Sequence, residues 1–175
     1  INRNFGAIKH HYSVTKKLDG VRQVIFGRLC SSEQGMDSFS KSNNHILQLF
    51  AVDARLNVEF LCSFESNLKG SFVFDCEMLE IHATPKTKPA KQYFAFGAFV
   101  YDGKPCHVDA LAVQLAKIGL VVNEPQLQNV IHVKQFYTVD STAQVLWQSY
   151  LAYKDDGLIF TRNQVQGFFS MKTHV

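Results

Sequence analysis

The run 71–79 constrains this chain more than any other stretch. It is apolar, aromatic and β-branched, as a strand requires. Yet it carries two carboxylates, Asp75 and Glu77, on either side of Cys76. Side chains at i and i+2 of a strand project to one face, so both carboxylates fall on the same side of a sheet. Placing both in a core would be costly without cations or a metal ion.

The rest of the chain reads mostly as strands. Fifteen phenylalanines against one tryptophan favour packed sheet over a helical bundle. Residues 14–16 and 21–29 flank an Asp19-Gly20 turn, and 45–52 and 58–64 flank the loop 53–57. Residues 93–101 form a long aromatic strand, 158–162 a short one, and 167–173 a further candidate. The polar stretches 31–44 and 84–91 are loops. Two segments have helical periodicity. The first is 109–118, with Leu111, Leu115 and Ile118 on one face and Gly119 as its stop. The second is capped by Asp140 or Ser141 and carries Ala143, Leu146, Trp147, Tyr150 and Leu151 at helical spacing. Helices inserted between strands predict an α+β fold with antiparallel sheets.

The 175 residues, 46% hydrophobic, suffice for the core of one domain. The net charge of +3 permits a polyanionic partner without demanding one. Cys30, Cys62, Cys76 and Cys106 form no C-x-x-C pair, which argues against zinc and fits a reducing compartment. The pairs His10-His11 and His107/Asp109 read as surface and helix start rather than as metal ligands. No apolar run reaches membrane-spanning length and no signal peptide opens the chain, so no membrane association and an intracellular location are expected. The chain begins at Ile1 rather than methionine, which points to a piece of a longer protein.

The chemistry gathers around Lys16-Lys17-Leu18-Asp19-Gly20-Val21-Arg22. A lysine nucleophile must lose its proton to attack, and nearby cations such as Lys16 and Arg22 favour that loss. Gly20 allows close backbone approach to a phosphate. Arg22 offers a forked donor to phosphate or ribose oxygens. Further along, Phe94 and Phe96 lie in an aromatic row suited to stacking on a base. The run 132–136 puts Lys134 inside an apolar strand. Asp155 and Asp156 precede Gly157 at a strand entrance, where a carboxylate suits Mg²⁺ with phosphate oxygens completing the shell. Lys172 sits in the final candidate strand. Singly, each of these signals is weak, and a turn, a core strand or a solvated loop accounts for it.

Taken in order, they resemble a family. K-x-D-G-x-R, then an acidic strand D-x-E, an aromatic strand, D-G followed by apolar residues, and a last lysine strand is similar to the covalent nucleotidyltransferases. These include mRNA capping guanylyltransferases and ATP-dependent polynucleotide ligases. The resemblance spans about 14–172, nearly the whole chain, and implies one nucleotidyltransferase domain over 1–175, in the ATP-grasp-like ligase and capping-enzyme fold, with the family's OB-fold domain missing.

The resemblance implies that Lys17 is the nucleophile, with Asp19 beside it and Lys172 stabilising developing charge. It places Arg22 and Glu77 on the ribose, Phe96 (or Phe94) on the base, and Lys16 and Lys134 among the nucleotide-binding groups. Asp156 and Glu77 would hold Mg²⁺ or Mn²⁺. The acidic strand reads Asp75-Cys76-Glu77 where the family often has Asp-Gly-Glu, and the second lysine of the last motif is replaced in Lys172-Thr173-His174. These departures suggest a divergent, viral member. Lys-Leu-Asp-Gly-x-Arg and Val133-Lys134-Gln135-Phe136-Tyr137 are most similar to capping subunits of baculovirus- and nudivirus-type RNA polymerases. That branch implies GTP as substrate, an RNA 5′ end as acceptor, RNA polymerase subunits as partners, and a nuclear or viral setting. An ATP-dependent ligase is the alternative, and a catalytically silent nucleotide-binding scaffold a second.

Overall fold

The computed structural model describes residues 11–31, 45–81, 89–139 and 157–163. Among them are two sheets and one helix. The larger sheet contains β2 (Val21–Ser31), β3 (His45–Asp53), β4 (Val58–Ser66), β5 (Phe72–Ile81), β6 (Ala90–Tyr101) and β7 (Lys104–Pro105), in the order β4-β3-β2-β5-β6-β7. All these neighbours are antiparallel. A short strand, β8 (Ile131–Val133), adds to β6 in parallel. In the smaller sheet β1 (Tyr12–Lys16) lies between β10 (Leu158–Arg162) and β9 (Tyr137–Thr138). The helix α1 spans Leu111–Val122. The expected α+β architecture with antiparallel sheets is what the chain adopts. The expected second helix and the strand 167–173 lie outside the described residues.

Alternation sorts the large sheet's residues onto two faces. Ile25, Leu47, Leu49, Phe72, Phe74, Cys76, Tyr93 and Ala95 are all buried in one core cluster. The sheet curls around this core. Lys91, at the start of β6, pairs with Glu59, at the start of β4, at 2.6 Å. Four strand spacings would hold those backbones about 19 Å apart in a flat sheet, so only a curled one lets the side chains meet. α1 closes the core with Leu111, Ile118 and Val121. Gly119 lies within this helix instead of ending it, because buried Val121 and half-buried Val122 continue the core-facing stripe beyond it and Asn123 is the cap.

Asp19-Gly20 does not close a hairpin. β1 and β2 belong to different sheets, and the loop 17–20 carries the chain between them. The room left by the missing side chain of Gly20 is taken up by protein. A Cβ there would sit 2.5 Å from the Met78 carbonyl oxygen and 2.8 Å from Glu77 Cγ. The glycine thus lets β2 start pressed against β5.

β6 carries two irregularities opposite β5, between Val73 and Phe74 and between Asp75 and Cys76. At the second, Asp75 faces Gly97 while Cys76 faces Ala95, so Phe96 is the extra residue. A bulge of this kind re-aims a side chain next to a site. Gln114 of α1 holds the strand just beyond it: its Oε1 accepts from the Ala98 N–H at 3.0 Å, and its Nε2 donates to the Asp109 carbonyl at 2.8 Å.

Candidate functional site

Where the smaller sheet meets the β5–β6–β8 part of the larger one, the two halves of the sequence signal come together. The Lys17 N–H donates to the Gly157 carbonyl at 2.8 Å, immediately before β10. Lys16 lies opposite Leu158 in the β1–β10 register. The segment after β8 crosses from one sheet to the other, and Thr15 Oγ1 donates to the Gln135 carbonyl at 2.7 Å in that crossing. The crossing explains why Lys134 stands just past its strand and not inside one. β8 ends at Val133, and the Lys134 N–H donates to Ala95 O at 2.8 Å.

Lys134 is buried, only 5% exposed. Its ammonium lies 5.4 Å from the centre of the Phe96 ring, a cation–π distance. Desolvation pushes this ammonium below its ordinary pKa. Glu77 opposes that shift, and repulsion from Lys17 adds to it. Lys134 is therefore the cation felt against Lys17. The sequence suggested Lys16 and Arg22 for that part; the Arg22 charge is taken up by Asp75.

Arg22 sits opposite Glu77 in the β2–β5 register. It reaches diagonally instead to Asp75, with Nε 2.9 Å from Oδ1 and Nη2 2.5 Å from Oδ2. Its guanidinium also lies 5.8 Å from the Phe96 ring centre. The carboxylate cost foreseen for the acidic strand is thus met by cations: Arg22 for Asp75, and the fields of Arg22 and Lys134 for Glu77. Reading the sequence gave Asp75 no separate task. The signal was present as a charge in an apolar strand, but nothing local names its partner.

Of the expected site residues, Lys17, Arg22, Glu77, Phe96 and Lys134 converge here. Lys16 and Asp19 are exposed on the adjoining strand end and loop. Phe94 lies on β6 with its ring 5.1 Å from that of His132. Asp156 and Lys172 lie outside the described residues. Among the described residues no group of three or more His, Cys, Asp or Glu gathers in one place. Asp75 is engaged by Arg22, so the described carboxylates do not by themselves make a metal shell. Among the described residues no helix is long and apolar enough to cross a membrane.

No protein-family model and no curated protein matches the sequence. A solved structure does resemble it: a mycobacterial DNA ligase D complexed with ATP and MES, with a TM-score of 0.53 and 12% identity. The fold is that of a ligase nucleotidyltransferase-like domain. The likeness covers 89% of this chain and 49% of the ligase, so the chain spans about half of that protein's length. At this identity the likeness is one of fold, and the residues of the cluster carry the chemical argument.

Proposed function

We propose that this chain is a covalent nucleotidyltransferase domain in which Lys17 takes a nucleoside monophosphate from a nucleoside triphosphate. The observation that carries this reading is the convergence of Lys17 with buried Lys134, Glu77, Arg22 and Phe96. Two ammonium groups held near each other shed a proton more readily than either alone, which supplies a neutral amine. That amine attacks the α-phosphate. The N–P bond forms, the bond to the β-phosphate oxygen breaks, pyrophosphate leaves, and the amine's proton is released. Phe96 offers a face to the base, and Arg22 offers donors to ribose or phosphate oxygens.

The finer reading is guanylyl transfer. GMP on Lys17 passes to a diphosphate RNA 5′ end: the N–P bond breaks, a new P–O bond forms, and Lys17 regains a proton. The resemblance of the Lys134 segment and of Lys-Leu-Asp-Gly-x-Arg to viral capping subunits supports GTP, and with it RNA polymerase subunits as partners. The likeness of the fold to an ATP-complexed DNA ligase favours a second reading, in which the adduct is lysyl-AMP. A divalent cation would add charge neutralisation on the phosphates, with Glu77 and Asp156 as its candidate carboxylates. Incubation with α-labelled GTP or ATP and Mg²⁺ or Mn²⁺, followed by a denaturing gel, tests both. Label from GTP supports capping, label from ATP supports ligation, and no label from either rejects the function.

A further inference from the structure

The geometry points to Asp75 as the positioning residue of this site: it fixes the plane of the Arg22 guanidinium so that the remaining donors face the nucleotide. This rests on the nucleotidyltransferase reading above. Asp75 is almost wholly covered, with its side chain 8% exposed, while that of Arg22 is 70% exposed. A long, exposed arginine samples many rotamers. Two parallel bonds to a buried carboxylate remove that freedom and set the plane of the fork. Asp75 uses two of the five guanidinium N–H donors. The others point away from the carboxylate, on a side chain that is exposed.

Asp75 itself is placed by the sheet. It stands between Val24 on β2 and Gly97 on β6, at the irregularity that makes Phe96 the extra residue. One feature of β6 thus sets both the ring and, through Asp75, the cation beside it. Glu77 lies directly across from Arg22 yet is not its hydrogen-bonding partner. That division leaves Glu77 to act on the ligand while Asp75 acts on Arg22.

A double-mutant cycle on the full chain tests the assignment, with GTP and ATP affinities read by titration calorimetry. Asp75→Asn keeps the shape and removes the charge. It should weaken binding of the preferred nucleotide about tenfold, the effect of one well-placed charged hydrogen bond. Arg22→Ala should do at least as much. In the Arg22→Ala background, Asp75→Asn should change affinity less than twofold, because its effect runs through Arg22. Arg22→Lys, at an exposed side chain that keeps its charge, should also lose about tenfold, because an ammonium cannot be held as a fork. Effects of Asp75→Asn and Arg22→Ala that simply add would overturn the assignment, as would wild-type affinity in Arg22→Lys. If Asp75→Asn fails to fold, Arg22→Lys alone decides. Wild-type protein that binds neither nucleotide would reject the function and the assignment together, an outcome distinct from additivity.

Discussion

The backbone N–H of Lys17 and the carbonyl of Gly157 are joined by a 2.8 Å hydrogen bond across 140 residues of sequence (157 minus 17). It holds the end of β1 against the start of β10. The K-x-D-G and D-G-apolar signals, far apart in the chain, thereby border one site. Lys17 is held at its backbone while its amine remains at the junction of the sheets.

If Lys17 carries the adduct, Lys17→Ala and Lys17→Arg should each abolish transfer of label from the α-labelled triphosphate, since a guanidinium does not lose its proton. Peptide mapping of the wild-type adduct identifies the modified residue. Label found on Lys134 or Lys16 would reject the assignment.

Much of this was legible in the chain. The strands read at 45–52, 58–64 and 158–162 announce themselves through β-branched and aromatic residues between turn signals, and the first two run one and two residues further in the fold. The carboxylates of 75–77 announced a need for cations. Which cation answers is set by the sheet's register and by a diagonal reach from Arg22, and no local rule encodes either. The same limit applies to Asp19-Gly20, whose residues suit a hairpin as well as a passage between sheets. The bulge at Phe96 adjoins Gly97, and a glycine inside a strand pattern marks such irregularities, but the glycine does not say which neighbour is the extra residue; the fit of β5 to β6 decides that.

Phe96 and Phe94 separate as base platforms. Phe96 has the two cations beside it, whereas Phe94 packs by His132. Phe96→Ala should weaken nucleotide binding by about 1–3 kcal/mol, one stacking contact, and Phe96→Tyr should be mild. Titration of both variants beside Phe94→Ala checks this. A large loss in Phe94→Ala with none in Phe96→Ala would exchange their roles.

Lys134 costs the fold stability, because its ammonium is buried. Its folded pKa is lowered from 10.5, so the unfolded chain binds the proton more tightly. Stability therefore rises with pH as the solution passes through the folded pKa toward 10.5. Lys134→Met removes the charge and keeps the length. The wild-type protein should gain melting temperature relative to this variant as pH rises toward 10.5. A constant difference across that range would show that Lys134 is not held at such a cost.

Tyr93 titrates in the opposite sense. Burial, more than the nearby Glu59, raises its phenol to about 12 from 10.0. The unfolded chain then loses this proton first, and stability falls between these two pH values. Among the described residues the buried Tyr93 hydroxyl also has no hydrogen-bond partner. Tyr93→Phe should leave the fold unchanged or more stable by about 1 kcal/mol, and should flatten the alkaline loss relative to the wild type. A clear loss of stability in denaturant melts would mean the hydroxyl has a stabilising partner.

Farther along β2 from the site, the core leaves no room for a side chain at Gly27. A Cβ there would fall 2.2 Å from Cε1 and 2.3 Å from Cζ of Phe72. Phe72 is fully buried, and its ring stacks on Phe74 with centroids 4.6 Å apart, so it has little room to withdraw. Gly27 and Phe72 face each other in the β2–β5 register. The glycine is thus required by volume, and its backbone has no positive φ to explain it. Gly27→Ala should cost about 1–3 kcal/mol, the usual range for an overpacked core, read as a lower denaturant midpoint with unchanged slope. Phe72→Leu alone should also destabilise, by leaving a gap. The two together should cost less than their sum, because the smaller side chain vacates the space the new methyl needs. Strict additivity would mean that the sheet absorbs the methyl by shifting β2, and that Phe72 does not dictate the glycine.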